Sequence, residues 1–356
     1  MKGVLIGIAI FLAVVLVAVL GFKLYDYIAA AEFYNNSDVM FKTPGVNNSN
    51  FVPQGMTYIP EKDTFLFAGY MGKPALGNLG DDVASRVYVR DGDGNVTFTR
   101  LLKEDGSPYT GHTGGVECFG DYIYITSEES YGIDVFSADD VLSGKSETKT
   151  LGRIKTYNAP AQCYIYEFEG EKYIMTGSYH KNETVYPTPD HERITTPAGD
   201  KNTSVLTVFK LDEGAALGIQ PEPVAIISTR EMVQGICITP DGQMVISTSW
   251  GLSTSRLFFY DLSKVQCTEN YRYSGTVEYA DVDADADVYE FDFVIPCYYM
   301  DSSCLAELVL APPMSEELVC LDGKIIVFCE SACNKYMFGK LTTGLKIYGY
   351  NYDTLK

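Results

Sequence analysis

Basic charge is scarce in this chain: 27 Lys and Arg stand against 47 Asp and Glu, a net charge of −20. A surface of that sign repels phosphate backbones, so no nucleic acid is expected as a partner. Histidine is rare, with three copies, and tryptophan occurs once. No glycine-rich phosphate loop ending in Lys-Ser/Thr occurs, nor a Gly-x-Ser-x-Gly elbow, nor a His-Glu-x-x-His pair. Serine-hydrolase and zincin chemistry are thereby disfavoured. After about residue 40 no amphipathic stretch of helical length stands out. The nine cysteines are an odd number and show no zinc-type double pair. Cys118, Cys163, Cys237, Cys320 and Cys329 sit in apolar runs where a free thiol packs as a small hydrophobe. Cys297 with Cys304, and Cys329 with Cys333, are the pairs close enough in sequence to bridge.

What is present begins with a stretch from Gly3 to Phe22 that holds no charged residue. At helical rise it is long enough to cross a bilayer core. Lys2 precedes it; Lys23 and Asp26 follow. A cleavable signal peptide is the rival reading, with Ala29-Ala30-Ala31 as its small residues. The apolar run is long for a signal core, and Lys23 and Asp26 intervene. Both readings export the rest. The expected organisation is a signal anchor over 1–32 and one domain over 33–356, held at the cell membrane by a single pass on the extracytoplasmic side.

The remainder reads as strands. Tyrosine numbers 27, and aromatic and β-branched runs alternate with Gly, Asp, Asn and Pro. An internal repeat organises them. Gln54-Gly55-Met56 leads through Glu61-Lys62-Asp63 to Tyr70, then Ser85-Arg86 restarts a strand. Gln234-Gly235-Ile236 leads through Pro240-Asp241-Gly242 to Trp250, then Ser255-Arg256 restarts one. Weaker copies begin at Gly114, Gln162 and Glu316. Each unit is a tight hairpin, a third strand and usually a fourth, which is the blade of a β-propeller. Fourth-strand candidates are 96–102, 148–157, 223–228 and 306–311. The last unit runs out of chain after three strands, and Val39 to Lys42 is expected to complete it and close the ring. The prediction is an all-β, five-bladed β-propeller behind a transmembrane helix. Insertions fall at about 181–203 and 262–303, and a degenerate sixth blade in 262–311 is the alternative.

The topology converts the repeat into a site. In every blade the first strand starts, and the second ends, at one mouth of the central channel. First-strand starts carry Gln54, Gln162, Gln234, Glu316 and Glu317, with His112 just before the second unit. Second-strand ends carry Tyr70, Tyr179, His180, Trp250 and Glu330, and also Glu128 and Glu129. Convergent polar groups with aromatic walls make a default binding site. Gln54, Tyr70, Gln162, Tyr179, His180, Gln234 and Trp250 are the expected ligand-binding residues. The bland alternative is that the glutamines bond neighbouring backbone and that His112 is a structural hydrogen-bonder. Glu316, Glu317 and Glu330 need counter-charges, metal or shared protons if buried. Lys335, Arg86 and Arg256 are candidate partners. Ca²⁺ held by Glu316 and Glu330 is the cofactor option, because carboxylates are its ligands. Asp281, Asp283 and Asp285 alternate like the start of an EF-hand loop, but Ala286 replaces its glycine and Asp292 its last glutamate. A solvated acidic edge is the plainer reading. His180, Asp190 and His191 form a candidate metal or acid–base cluster, with a loose loop as the alternative.

Phe51-Val52-Pro53-Gln54-Gly55-Met56 and Gln234-Gly235-Ile236 resemble secreted bacterial propeller proteins of uncharacterised function. So do Pro312-Pro313-Met314-Ser315-Glu316-Glu317 and Glu330 to Tyr336. A more distant likeness is to propeller-type glutaminyl cyclases, in which an aromatic residue shortly precedes Gln-Gly as Phe51 precedes Gln54-Gly55; it implies five blades. Fold alone does not settle function. The leading reading is a membrane-anchored module that binds a small molecule, glycan or peptide at the mouth. The alternatives are a propeller enzyme at the same place and a structural or assembly scaffold. The enzyme would be a hydrolase, a lyase or glutaminyl-cyclase-like, with His112, Glu316, Glu317 or Glu330 as its acid–base group.

Overall fold

The computed structural model describes residues 2–47, 49–127, 131–181, 184–279 and 287–355. A helix over Lys2–Ala29 is followed by a short one over Ala31–Asn35. The first is long and apolar enough to cross a membrane over Gly3–Ala29, with a mean hydropathy of 3.2.

Five antiparallel blades follow, each with strands a to d from the axis outward. Blade 1 is Phe51–Ile59, Thr64–Met71, Arg86–Arg90 and Val96–Leu102. Blade 2 is Gly115–Phe119, Tyr122–Ser127, Gly132–Ser137 and Gly152–Lys155. Blade 3 is Pro160–Phe168, Glu171–Ser178, Ser204–Leu211 and Ile219–Thr229. Blade 4 is Val233–Ile238, Gln243–Thr248, Ser255–Asp261 and Leu305–Ala311. Blade 5 is Ser315–Leu321, Lys324–Cys329, Lys346–Asn351 and, as its outer strand, Ser37–Lys42. The last pairing runs from Ser37 opposite Tyr350 to Lys42 opposite Lys346, and it joins the two ends of the ring.

The strand patterns follow from this arrangement. A strand buried on both faces reads as a continuous apolar run rather than an alternating one. Strand b of blade 1 is such a run. Its Leu66 and Ala68 pack on Val116 and Ile125 of blade 2, while Phe65 and Phe67 pack with Ile326 and Phe328 of blade 5. Every seam between neighbouring blades holds a buried cluster of this kind. Outer strands are half solvated; Val96 and Thr97 of blade 1 are exposed. Near the axis the strands come too close for a side chain. A Cβ on Gly55 would lie 2.7 Å from the Val116 amide nitrogen, and one on Gly235 would lie 2.4 Å from the Glu317 Cα.

Two segments differ from expectation. The 262–303 insertion is not a sixth blade. Gln266–Tyr279 and Asp287–Tyr299 form a long hairpin whose second strand pairs in parallel with strand d of blade 3, Ile226 to Ser228 opposite Cys297 to Tyr299. Its apolar residues Tyr273, Val277 and Phe291 are buried against Ile194 and Val205 of blade 3, so its hydrophobic face is spent on an existing blade. The expected fourth strand over 148–157 splits in two. Glu147–Lys149 extends blade 1 in parallel, and Gly152–Lys155 completes blade 2. All nine cysteines are free, including those of the two candidate pairs.

Candidate functional site

Five loops and strand ends converge on a cavity of about 780 Å³ at the face where the a strands begin. Its polar end belongs to blades 1 and 5 and the connection into blade 2. Gln54 Nε2 donates to Glu330 Oε2 at 2.8 Å and to the Pro53 carbonyl at 2.9 Å. Burial pushes the Glu330 carboxyl up to about 7, against the opposing pull of Lys335 and the Gln54 hydrogen bond. Lys335 Nζ donates to Tyr70 Oη at 2.5 Å. Burial, with the Glu330 charge added, raises the Tyr70 phenol, so it stays protonated. The His112 ring lies 4.8 Å from that of Tyr70. Burial and then the Lys335 charge lower His112 to about 4, so its imidazole is neutral at pH 7. Its Nδ1 is buried without a hydrogen-bond partner among the described residues.

The aromatic end belongs to blades 3 and 4. Tyr179 is fixed by a 3.0 Å hydrogen bond from its Oη to the Ser249 carbonyl. Tyr186 stands edge-on to both Tyr179 and Trp250, at 5.5 and 6.2 Å between centroids. Lys181 Nζ sits 3.8 Å above the Trp250 ring, a cation–π contact. Gln234 and Met314 complete this wall.

Of the residues expected at the mouth, Gln54, Tyr70, His112, Tyr179, Gln234, Trp250 and Glu330 line the cavity. Gln162, His180, Glu316 and Glu317 do not. The cause is local. In blades 1 and 4 the residue skipped by the register break is the glutamine itself, Gln54 or Gln234; in blade 3 it is Ala161, so Gln162 pairs with Gly177 and its carboxamide is turned inward, with its Nε2 2.9 Å from where a Cβ on Gly177 would stand. In blade 5 the register jumps from Ser315 to Leu318, so Glu316 and Glu317 both fall in the irregular step and are buried. Bulges of this sort re-aim side chains. Arg86 serves Asp82 at 2.8 Å and Arg256 is exposed, so of the proposed counter-charges only Lys335 reaches the cavity.

His180 turns into the protein and sets its Nε2 3.0 Å from Glu192 Oε2. Glu192 is fully buried and also accepts from Ser178 Oγ at 2.9 Å and from the Val205 amide at 3.1 Å. His191 lies 3.9 Å from its other oxygen and packs edge-on against Phe291 of the hairpin. Asp190 is exposed on the surface. The segment is therefore neither a loose loop nor a group over the mouth: His180 and His191 belong to a buried knot around Glu192, which ties the insertion to blade 3.

Sequence reasoning also passed over Glu117. Its carboxylate accepts from Thr57 Oγ1 of blade 1 at 2.9 Å and from the Ile165 amide of blade 3 at 3.1 Å. Burial raises it to about 7. Glu317 does the same for the other half of the ring, accepting from the Ile236 amide of blade 4 at 3.1 Å and from the Cys163 amide of blade 3. Burial and the charge of Glu117 raise it well above the usual range. An acidic residue at the third position of the a strand, as Glu317 is in blade 5, was the available signal for Glu117. Glu117 faces a second cavity of about 590 Å³ at the opposite mouth, lined also by Tyr58, Tyr166 and Lys172.

Among the described residues no three His, Cys, Asp or Glu side chains gather as a metal-ion ligand set. Glu128, Glu129 and the Asp281–Asp285 alternation lie outside the described residues. Asp292 pairs with Arg272 at 2.7 Å.

The chain matches no family model and no curated protein. Solved structures similar to it include a luciferin-regenerating enzyme at 11% identity and a TM-score of 0.40, covering 88% of this chain and 95% of that one. A glutaminyl cyclase from Myxococcus xanthus is similar at 8% identity and 0.39, covering 88% and 94%. An α-L-arabinofuranosidase from Lactobacillus brevis is similar at 9% and 0.39, covering 80% and 85%. Likenesses this low assign no chemistry to the chain.

Proposed function

We propose that this protein is a membrane-anchored, extracytoplasmic propeller that binds a small ligand, glycan or peptide in the mouth cavity. Residues 1–32 act as the anchor and 33–356 as the binding domain. The observation that carries the reading is the two-ended cavity of about 780 Å³, with Gln54, Glu330, Lys335 and His112 at one end and Tyr179, Tyr186 and Trp250 at the other. Flat rings supply apolar contact at small entropic cost, while the polar end fixes orientation. Titration calorimetry of the full chain in detergent against short peptides and oligosaccharides tests this. One ligand bound per chain, lost in Trp250→Ala, is expected; no heat from any member, with the fold intact, argues against it.

A catalytic version of the same site is the second reading, favoured by one observation. Glu330 is a buried carboxyl brought to about 7 in a cavity that also holds a neutral imidazole, His112. An acid of that strength exchanges protons at physiological pH. Turnover of a bound ligand, abolished by Glu330→Gln with binding retained, would select this reading over simple binding.

A further inference from the structure

The loop over 330–345 between strands b and c of blade 5 serves two masters. Its first part gives Glu330, Lys335 and Tyr336 to the mouth cavity. Its second part holds the N-terminal helix. Phe338 meets Phe22 edge-on at 5.8 Å, and Thr343 Oγ1 lies 2.6 Å from Tyr34 Oη, which in turn donates to Asp26 Oδ2 at 2.8 Å. Phe22 is the last residue of the uncharged run. The helix therefore leaves the propeller on the side of the cavity mouth.

The same face is apolar on its blade 4 and blade 5 side, next to the helix. The b–c connections of blades 1, 3, 4 and 5 lie on this face. Those of blades 1, 3, 4 and 5 expose Leu76, Val185, Tyr186, Trp250, Leu252 and Leu341; most of that of blade 2 lies outside the described residues. The connections of blades 4 and 5 carry only Glu330, Lys335 and Lys340 as charges, in a chain whose net charge is −20, whereas those of blades 1 and 3 expose Lys73, Asp81, Asp82, Asp190 and Lys201. At the opposite face the a–b turns present Glu61, Asp63, Asp121, Glu169, Asp241 and Asp322 against Lys62 alone, and Phe168 is the exposed apolar residue beside them. Trp and Tyr at the rim with aliphatic neighbours is the composition that settles at a bilayer interface.

We propose that the blade 4 and blade 5 side of the mouth face seats on the bilayer that the N-terminal helix enters, so that the cavity opens at the membrane surface and takes ligand presented there. The inference rests on the anchor reading and not on the chemistry of the pocket. It is continuous with the helix, which fixes the occupant of this face as the lipid of the same membrane.

Trp250 is the only tryptophan, so its emission reports this face alone. The full chain is reconstituted into phosphatidylcholine vesicles at a low protein-to-lipid ratio. Lipids spin-labelled near the headgroup should quench Trp250, and the vesicles should shield it from aqueous iodide relative to the same chain in detergent. Leu252→Glu with Leu341→Glu should reverse both effects without moving the melting temperature. Both positions are exposed, so the fold does not depend on them. Unchanged iodide access in vesicles overturns the proposal, and so does shielding without lipid quenching, which would mean that protein covers the face. Release of the chain from the vesicles by an alkaline wash would instead overturn the anchor reading, which keeps the two failures distinguishable.

Discussion

Gln54 and Glu330, 276 positions apart, meet at 2.8 Å across the seam between blades 1 and 5. That seam is where the chain closes on itself, because strand Ser37–Lys42 completes blade 5 before blade 1 begins. The polar end of the cavity is thus built at the joint of the ring, and its geometry depends on closure.

Two carboxylates hold the inside of that ring. Glu117 joins blades 1, 2 and 3, while Glu317 joins blades 5, 4 and 3. Burial raises Glu117 to about 7, from an ordinary value of 4.5. A carboxyl whose folded value is raised binds its proton more tightly in the native state. Its contribution is present below 4.5 and is lost as pH rises through 7. For Glu117 alone the difference amounts to roughly 3 kcal/mol across that window. Glu117→Gln copies the protonated form. It should melt close to the parent at pH 5 and above it at pH 8, as measured by calorimetric scans at both values. A parent melting temperature that climbs from pH 5 to pH 8 in parallel with the variant would contradict the assignment.

Glu192 and Asp190 give a paired test of the buried knot. Glu192→Ala strands His180 and the Val205 amide in the interior and should cost about 3 kcal/mol or more. Asp190 is exposed, and Asp190→Ala should stay within about 0.5 kcal/mol. Urea unfolding of the two variants separates them. Equal losses would show that His180 and Glu192 are not a unit.

Much of this architecture was legible in advance, for a physical reason. The tight Asp and Gly turns and the unbroken apolar runs recur because each b strand is buried on both faces, as Leu66 and Phe67 show. Closure by Val39 to Lys42 followed from the missing fourth strand. Side-chain direction did not follow. The bulge falls on Gln54 and Gln234 in blades 1 and 4, on Ala161 in blade 3 and on Glu316-Glu317 in blade 5, and a sequence carries no mark of a one-residue slip. The long hairpin was also hidden, since its strands look like blade strands and only their parallel pairing with Ile226 to Ser228 places them on blade 3.

The cysteines offer a third prediction. Only Cys118, Cys267 and Cys320 are partly exposed, and burial raises all three thiols, Cys118 to about 12. A thiolate is the reactive species. In thiol titration under reducing-agent-free conditions the denatured chain should yield nine equivalents and the native chain should react slowly. Fewer than nine equivalents in the denatured chain would reveal a bridge.

The central claim is that ligand binds at the mouth built by Gln54, Glu330 and Trp250 and not at the opposite cavity. The direct measurement is the rise in melting temperature that a bound ligand produces, read in the parent, in Trp250→Ala and in Lys172→Ala. The account predicts that the shift disappears in Trp250→Ala and persists in Lys172→Ala. A shift that survives the first and vanishes in the second would place the site at the other mouth and contradict it.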